Sequence, residues 1–242
     1  NTTLGYDKDT LPDYLEQRNE DLATAPVEIN VSEGMQAGPT EVTGSGVKID
    51  GDCASNVPGL FACGDAADHN RCVHGAITGG YRSGKSAAKF ALGRNFFAEP
   101  EVAPTEEMAE KFIAPLKRGS GYPYRQLEDS VRRIMAENVG PMRSELGLNT
   151  ALKKLTQLEK HLDDMKVEDL HELMRSQETR SILEVGKISA TAALYRTESR
   201  NKPYHYRLDY PETDDENWCG LVAIQKSGDG YECSFDPIKY SS

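Results

Sequence analysis

Residues Gly79 to Ser86 match the G-x-x-x-x-G-K-S/T pattern of loops that bind nucleotide phosphates. Such a loop surrounds a phosphate with backbone N–H groups at a helix N-terminus, and its lysine, here Lys85, reaches the terminal phosphates. The loop must also leave a buried strand directly, but the strand candidate GLFACGD (residues 59–65) ends fourteen residues before Gly79. No acidic strand end for magnesium follows in the sequence either. The residues therefore favour a glycine-rich helix start, and a nucleotide-binding module stays the weaker alternative.

Asp65 is a second candidate for chemistry. It closes the apolar run GLFACGD, which is typical of a buried strand whose carboxyl end opens onto a ligand crevice. A carboxylate at a strand end is a good acceptor for sugar hydroxyls, and the neighbouring Gly64 permits close approach to the backbone. The sequence therefore predicts a polar binding position at Gly64 and Asp65.

The composition disfavours several classes of function. The chain has 242 residues, 38% of them hydrophobic, and a formal net charge of -11, which argues against nucleic acid as a partner. The longest purely apolar run, Leu221 to Ile224, is far shorter than the roughly 20 residues that span a bilayer. The five cysteines include no C-x-x-C pair, so no disulfide framework, iron–sulfur site or other metal site is indicated. A cytoplasmic location is expected, although the chain begins at Asn1 and its natural N-terminus need not be present.

Local patterns divide the chain into three parts. Residues 27–66 carry strand and turn signals, and a glycine-rich turn then leads into a helix predicted over Ser83 to Leu92. Residues 105–197 show helical spacing of apolar residues, which predicts a bundle of three or four helices. The apolar stripes are Leu127, Val131, Ile134 and Met135; Leu152, Leu155, Leu158, Leu162 and Met165; Leu170, Leu173 and Met174; and Ile182, Val185, Ile188 and Ala192. The predicted breaks are Pro104, Pro115, Gly119-Ser120-Gly121 and Gly140-Pro141. A C-terminal hairpin is predicted to turn at Gly228-Asp229-Gly230.

The stretch VPGLFACGDAADHNRCVHGAITGGYRSGKSAAK, residues 57–89, resembles the flavin-contacting region of the fumarate reductase, succinate dehydrogenase and adenylylsulfate reductase flavoproteins. The resemblance implies that GLFACGD is the last strand of an FAD domain and that Asp65 hydrogen-bonds the ribityl chain of FAD. It also implies that the helix after His74-Gly75-Ala76 begins beside the flavin, where N–H groups stabilise negative charge on the reduced ring. The implied cofactor-binding residues are Gly64, Asp65, Thr78, Gly79, Gly80 and Ser83.

A second stretch, YRTESRNKPYHYRLDYPETDDENW at residues 195–218, is similar to a segment near the C-terminus of the same superfamily. Two motifs in the right order, with helices between them, imply an α+β (α/β) fold. The implied parts are the C-terminal part of an FAD domain of the two-dinucleotide-binding-domain type, with a remnant of the capping region (1–98), a helical bundle domain (99–197), and an arm with a small β-hairpin (198–242).

The sequence departs from the fumarate and succinate enzymes at two cationic positions that hold the dicarboxylate. Glu41 aligns with a histidine of those enzymes, and Thr78 aligns with an arginine. A buried glutamate would repel a dicarboxylate, so fumarate and succinate are not the expected substrates. The adenylylsulfate reductase pattern fits His74 to Lys89 without gaps, and the alignment places His74 at that branch's substrate-binding histidine. His74 is therefore the catalytic candidate, as an anion-binding or proton-relaying imidazole, and the alternative is a hydrogen bond to the turn alone.

Other polar residues leave alternatives open. Residues 204–207, Tyr-His-Tyr-Arg, would line the flavin or a subunit contact, or else pack the C-terminal arm. Arg82 and Lys85 would face an anionic substrate or be solvated, and His69 is a weaker candidate than His74.

The first 60 residues supply no G-x-G-x-x-G motif for the ADP part of FAD. The resemblance therefore implies a nucleotide-binding N-terminal half, in a separate subunit or in the same longer polypeptide, and an iron–sulfur ferredoxin-like partner. The expected function is electron transfer between FAD and a small anionic substrate. The alternatives are an adenylylsulfate reductase-type α subunit, a non-catalytic assembly subunit and the phosphate-loop module.

Overall fold

Helices dominate the structure, a computed structural model that describes residues 46–67, 72–93, 102–200, 205–228 and 230–238, without the side chains of residues 72, 74 and 102–105. The α-helices are α1 (Cys72–Leu92), α2 (Val102–Ile113), α3 (Tyr124–Asn138), α4 (Glu145–Glu159), α5 (Leu170–Tyr195) and α6 (Asp215–Trp218). The strands are β1 (Met142–Arg143), β2 (Tyr206–Arg207), β3 (Gly220–Ser227) and β4 (Gly230–Pro237). Short 3-10 turns lie at Gly64–Ala66, Ala114–Lys117 and Leu162–Asp164. Two small sheets, β1–β2 and β3–β4, accompany these helices.

Helices α3, α4 and α5 pack against one another and enclose two buried clusters. The first contains Tyr124, Leu127, Val131, Leu155, Leu162, Met165 and Leu183, and the second contains Val139, Leu148, Ala151, Ala190 and Ala193. The apolar stripes predicted for α3 and α4 lie in these clusters or against them. The helical bundle predicted between residues 105 and 197 is present.

The stripe predicted for α5 is wrong in part. Leu170, Met174 and Val185 are exposed, although Leu173 is buried as the pattern predicts. The buried face of α5 also contains small and polar residues, namely Ser176, Thr179, Gly186 and Ala190. At Gly186 an added Cβ would lie 3.2 Å from the sulfur of Met135, so the Met135 side chain on α3 would have to shift to admit a larger residue there. The spacing of apolar residues does not reveal a helix face that is buried through small and polar residues.

Local sequence sets the helix boundaries in the bundle. Ser144, Asp169 and Asp214 each accept a hydrogen bond from the backbone three residues later, which caps α4, α5 and α6. The predicted breaks at residues 119–121 and 140–141 separate successive elements. Pro104 is not a break, because it lies in the first turn of α2, where proline is tolerated.

The predicted C-terminal hairpin is present as β3 and β4. Ser227 pairs with Gly230, so the turn lies between these two residues, and Gly228 has a positive φ of 56°. The hairpin packs on α5, and Phe235 of β4 contacts Trp218 edge-to-face. A parallel pair between β1 and β2 was not indicated by the sequence.

The segment GLFACGD does not form the extended strand that the sequence predicts. Phe61 makes a single antiparallel bridge with Ala54, and Gly64 then turns the chain into a 3-10 segment. A strand needs partners along its length, and within the described residues this segment pairs only with residues 53–55. Residues 44–242 form one compact unit, and the domain boundaries after residues 98 and 197 stay predictions.

Candidate functional site

Helix α1 contacts the Gly64 turn through its backbone. Gly64 is buried with a φ of 60°, and an added Cβ there would lie 3.1 Å from the Cα of Ala76 on α1. An added Cβ at Gly79 would lie 3.0 Å from the Cβ of Cys63. Glycine is therefore required on both sides of this contact. The contact holds the first two turns of α1 directly against the segment that bears Asp65.

The predicted start of this helix is wrong. Helix α1 begins at Cys72, not at Ser83, and Thr78, Gly79 and Gly80 lie inside it rather than in a turn. The glycine signal that suggested a turn instead reflects close packing, because Gly79 lies against Cys63. The backbone N–H groups without a helical carbonyl partner belong to the first turn of α1, which includes His74.

The predicted cofactor-binding residues differ in their accessibility. Asp65 and Thr78 are exposed, and Ser83 is half-buried and donates from its hydroxyl to the Gly80 carbonyl over 3.3 Å. Gly80 has open space where a Cβ would be, whereas the same position of Gly79 is filled by Cys63. These placements leave the cofactor assignment a prediction.

Four predicted positions lie wholly or partly outside the described residues. His74 belongs to the first turn of α1, but its side chain is not described. Glu41, His69 and Tyr204 are outside the described ranges altogether.

The stretch Gly79 to Ser86 is not a phosphate loop. It lies entirely within α1, where backbone N–H groups bond carbonyls of the preceding turn instead of a phosphate. Lys85 is exposed, and Arg82 donates to the carbonyl oxygen of Gly51, which ties α1 to the loop before Cys53.

Glu198, in the second motif, is a buried carboxylate between two arginines. Arg196 and Arg200 both donate to it, and the backbone N–H of Asp214 donates over 2.8 Å. Burial alone would raise the pKa of Glu198, but the hydrogen bonds from Arg200, Asp214 and Arg196 lower it below the usual value. The motif thus forms a charged internal anchor for the C-terminal arm (residues 196–218).

Arg207 caps the end of α5. Its guanidinium donates to the carbonyl oxygens of Ala193 over 2.7 Å and of Arg196 over 2.8 Å. It also forms a bidentate pair with Asp209, whose second role is to accept from the N–H of Glu145 at the start of α4. The hydrogen bond from Arg207 lowers the pKa of Asp209 to about 2. The sequence left open whether Arg207 lines the flavin, lines a subunit contact or packs the C-terminal arm. These contacts support packing of the arm.

His205 lies beside these arginines with a half-buried side chain. Burial is the largest cause that lowers its pKa to about 4, and the charges of Arg143, Arg196 and Arg207 add to the effect. Its Nε2 atom is buried and has no hydrogen-bond partner among the described residues. The imidazole is therefore neutral at pH 7.

Residues 128–242 match the family model described as the fumarate reductase flavoprotein C-terminus. Those residues contain the Glu198 anchor and the Arg207 cap, and similar proteins also match upstream of residue 128. The chain belongs to this flavoprotein superfamily and corresponds to the C-terminal portion of its members.

Three similar proteins illustrate the extent of the match. An uncharacterized FAD-dependent oxidoreductase of Methanocaldococcus jannaschii is 34% identical over 210 residues, covering 81% of this chain and 36% of that protein. Sdh1 of Mycobacterium smegmatis in complex with UQ1 aligns with a TM-score of 0.70 and 26% identity, covering 81% of this chain and 35% of that chain. Adenylylsulfate reductase of Archaeoglobus fulgidus shares the fold, with a TM-score of 0.73 and 24% identity over 98% of this chain and 46% of that chain. The chain thus spans less than half the length of the relatives that it matches.

Two negative findings apply to the described part of this flavoprotein chain. No group of three or more His, Cys, Asp or Glu side chains there could hold a metal ion. None of its described helices is long and apolar enough to cross a bilayer.

Proposed function

We propose that this chain is the C-terminal part of an FAD-dependent oxidoreductase that transfers electrons between FAD and a small anionic substrate. The observation that carries the proposal is the glycine contact, which fixes the N-terminal turns of α1 against the segment of the exposed Asp65. A helix N-terminus and an exposed carboxylate are thereby held on one rigid support.

The donors and acceptors at this position fit FAD. The N–H groups in the first turn of α1 would stabilise negative charge on the reduced ring system, because the positive end of the helix dipole lies there. The Asp65 carboxylate would accept a hydrogen bond from a hydroxyl of the cofactor. FAD, when bound, supplies the carrier that takes up and gives back an electron pair.

The glycines have separate roles in this proposal. Gly64 and Gly79 position α1, since the space that a Cβ would take at each of them is already in contact with other protein atoms. Thr78, Gly80 and Ser83 are the remaining candidates for cofactor contacts. His74, in the first turn of α1, would bind the substrate anion or hold the transferred proton.

The substrate is proposed to be an anion other than fumarate or succinate. Thr78 lies exposed on α1 where the dicarboxylate enzymes that the sequence resembles have an arginine, so that anchor is missing. The ungapped pattern from His74 to Lys89 favours an adenylylsulfate reductase-type subunit as the second candidate. A nucleotide-binding N-terminal half and an iron–sulfur subunit are the proposed partners.

The test replaces Asp65 by Asn in the natively purified flavoprotein. Because a hydrogen bond to a charged group contributes about 1.5–3 kcal/mol, Asp65→Asn should weaken FAD binding by roughly tenfold to a hundredfold. The matched control is Asp129→Asn, an exposed carboxylate on α3, which should leave FAD affinity unchanged. The affinity of both variants for FAD is measured by diluting the protein and following the flavin absorbance that stays with the protein fraction.

Two outcomes would contradict the proposal. The first is a natively purified protein without the absorbance bands of oxidised flavin. The second is a bound flavin whose absorbance does not change when candidate anions are added, namely sulfite with AMP, fumarate, succinate and related anions. That result would favour the non-catalytic assembly subunit.

A further inference from the structure

The turn that bears Asp65 is held from a second side by a segment that precedes it in the chain. The backbone N–H of Val47 donates to the carbonyl oxygen of Ala66 over 2.9 Å, and Val47 forms a parallel bridge with Ala67. Ala67 is buried, and its own N–H closes the turn by donating to the carbonyl oxygen of Gly64 over 3.0 Å. Asp65 thus follows a residue that is fixed against α1 and precedes two residues that are fixed against Val47.

Gly46 allows this second contact to be close. An added Cβ at Gly46 would lie 2.3 Å from the carbonyl oxygen of Ala67 and 2.8 Å from that of Ala66. Both oxygens belong to the backbone, so a side chain at position 46 would have to displace the turn itself. Gly46 is exposed and its φ is not positive, so the close approach of the two backbones is the reason for glycine here.

A displacement of this size matters for a hydrogen bond from the Asp65 carboxylate. Relief of the contact with Ala67 to the 3.4 Å of ordinary van der Waals contact requires a shift of about 1 Å. The turn cannot follow this shift as a whole, because Gly64 at its start is held against α1. A hydroxyl and a carboxylate oxygen bond only within about 2.5–3.0 Å, so the shift would break the contact with a fixed hydroxyl.

We infer that Gly46 is a positioning residue for the cofactor contact of Asp65. By admitting the close backbone contact with Ala66 and Ala67, it sets where the Asp65 carboxylate meets a hydroxyl of FAD. The inference rests on the proposed function, because that function assigns the contact to Asp65. Since Gly46 acts through the turn, its effect on FAD binding should disappear when the Asp65 carboxylate is removed.

The test measures the FAD affinity of the natively purified flavoprotein with Gly46→Ala, alone and combined with Asp65→Asn. Gly46→Ala alone should weaken FAD binding on the order of tenfold, because it displaces the accepting carboxylate. In the Asp65→Asn background the same change should alter FAD affinity by less than about twofold, because residues that act through one hydrogen bond are not additive. The matched control is Gly51→Ala in the same segment, where an added Cβ would have no described atom within 4 Å. This variant should leave FAD affinity unchanged.

The combined variant separates failure of this inference from failure of the proposed function. If Asp65→Asn weakens FAD binding but Gly46→Ala does not, only the positioning inference is overturned. If Gly46→Ala weakens binding equally with and without the Asp65 carboxylate, Gly46 acts by another route and the inference is again overturned. If Asp65→Asn alone leaves FAD affinity unchanged, the proposed cofactor contact fails and the inference fails with it.

Amide hydrogen exchange provides a second measurement that does not depend on whether Gly46→Ala folds. If the backbone contact positions Asp65 for FAD, bound FAD must in turn stabilise the contact, because coupling between two interactions is reciprocal. Removal of FAD from the unaltered flavoprotein should therefore speed exchange of the Val47 N–H on the order of fivefold or more. The control is the Ser55 N–H, which bonds the carbonyl oxygen of Leu60 over 2.9 Å and should exchange equally in both states.

The same exchange measurement on FAD-saturated Asp65→Asn shows whether the carboxylate transmits the effect. The Val47 N–H should exchange there at the faster rate, because FAD no longer holds the turn through residue 65. Exchange at Val47 that does not depend on FAD would contradict the inference, and so would full protection of Val47 in Asp65→Asn.

Discussion

At the scale of single residues, buried charges hold the C-terminal arm. Glu198 receives hydrogen bonds from two arginines, and Arg207 satisfies carbonyl groups at the end of α5. Burial, followed by the charges of Arg143, Arg196 and Arg207, lowers the pKa of the nearby His205. The protonation of these side chains therefore depends on the charges around them.

His205 should make the chain less stable as the pH falls from 6.5 to about 4. In that window the unfolded histidine takes up a proton that the folded one does not, so protonation favours unfolding. His205→Gln should flatten this part of the pH dependence, as measured by the free energy of unfolding in urea at several pH values.

The control for this prediction is His161→Gln. The side chain of His161 is exposed, so its replacement should keep the wild-type slope across the same pH window. An unchanged slope in the His205→Gln variant would show that His205 is not the titrating group.

At the scale of elements, the glycines of α1 have different functions within one helix. Gly79 allows α1 to touch Cys63, whereas Gly80 faces open space. Glycine is thus required at position 79 but replaceable at position 80. Alanine variants at these two neighbouring positions of α1 can therefore be compared directly.

Gly79→Ala should destabilise the chain by about 1–3 kcal/mol, because its Cβ would lie 3.0 Å from the Cβ of Cys63 and would overpack the contact. Gly80→Ala should stabilise it by about 0.5–1 kcal/mol, because alanine is the better helix former. Urea unfolding of both variants measures the difference. Equal effects at the two positions would contradict the close contact between α1 and Cys63.

At the scale of the whole molecule, the C-terminal arm connects the ends of the bundle helices. Arg207 contacts the end of α5 and, through Asp209, the start of α4, while Arg196 donates to the carbonyl oxygen of Trp218 beside the hairpin. The exposed ion pair between Lys48 and Asp236 links the segment 46–67 to β4, but such pairs contribute little energy. The arm (residues 196–218) therefore connects the ends of the bundle helices with the start of the hairpin.

Arg207→Ala should lower the free energy of unfolding by about 3–5 kcal/mol, because Asp209 would lose its paired charge and the α5 carbonyl groups their donor. Arg133→Ala, which removes an exposed arginine from α3, should change stability by less than about 0.5 kcal/mol. Denaturant unfolding followed by circular dichroism measures both. A loss below that of the control variant would show that the arm does not depend on Arg207.

The sequence predicted the features that local chemistry controls. Apolar spacing identified the bundle, turn glycines identified the hairpin, and two motifs identified the superfamily. The start of α1 was missed, because glycine gives the same local signal in a turn and in a close helix contact. The cap role of Arg207 was left open, since its carbonyl partners come from α5, which precedes it by more than ten residues.

The sequence alone thus determined the superfamily and the helical bundle, because these follow from residue types and their spacing, whereas the residues that it assigns to cofactor contacts stay a prediction. Only the tertiary structure decided which glycines support α1 and which side of α5 is buried. Those features depend on distances between segments that are far apart in the chain. The residues within one segment do not specify such distances.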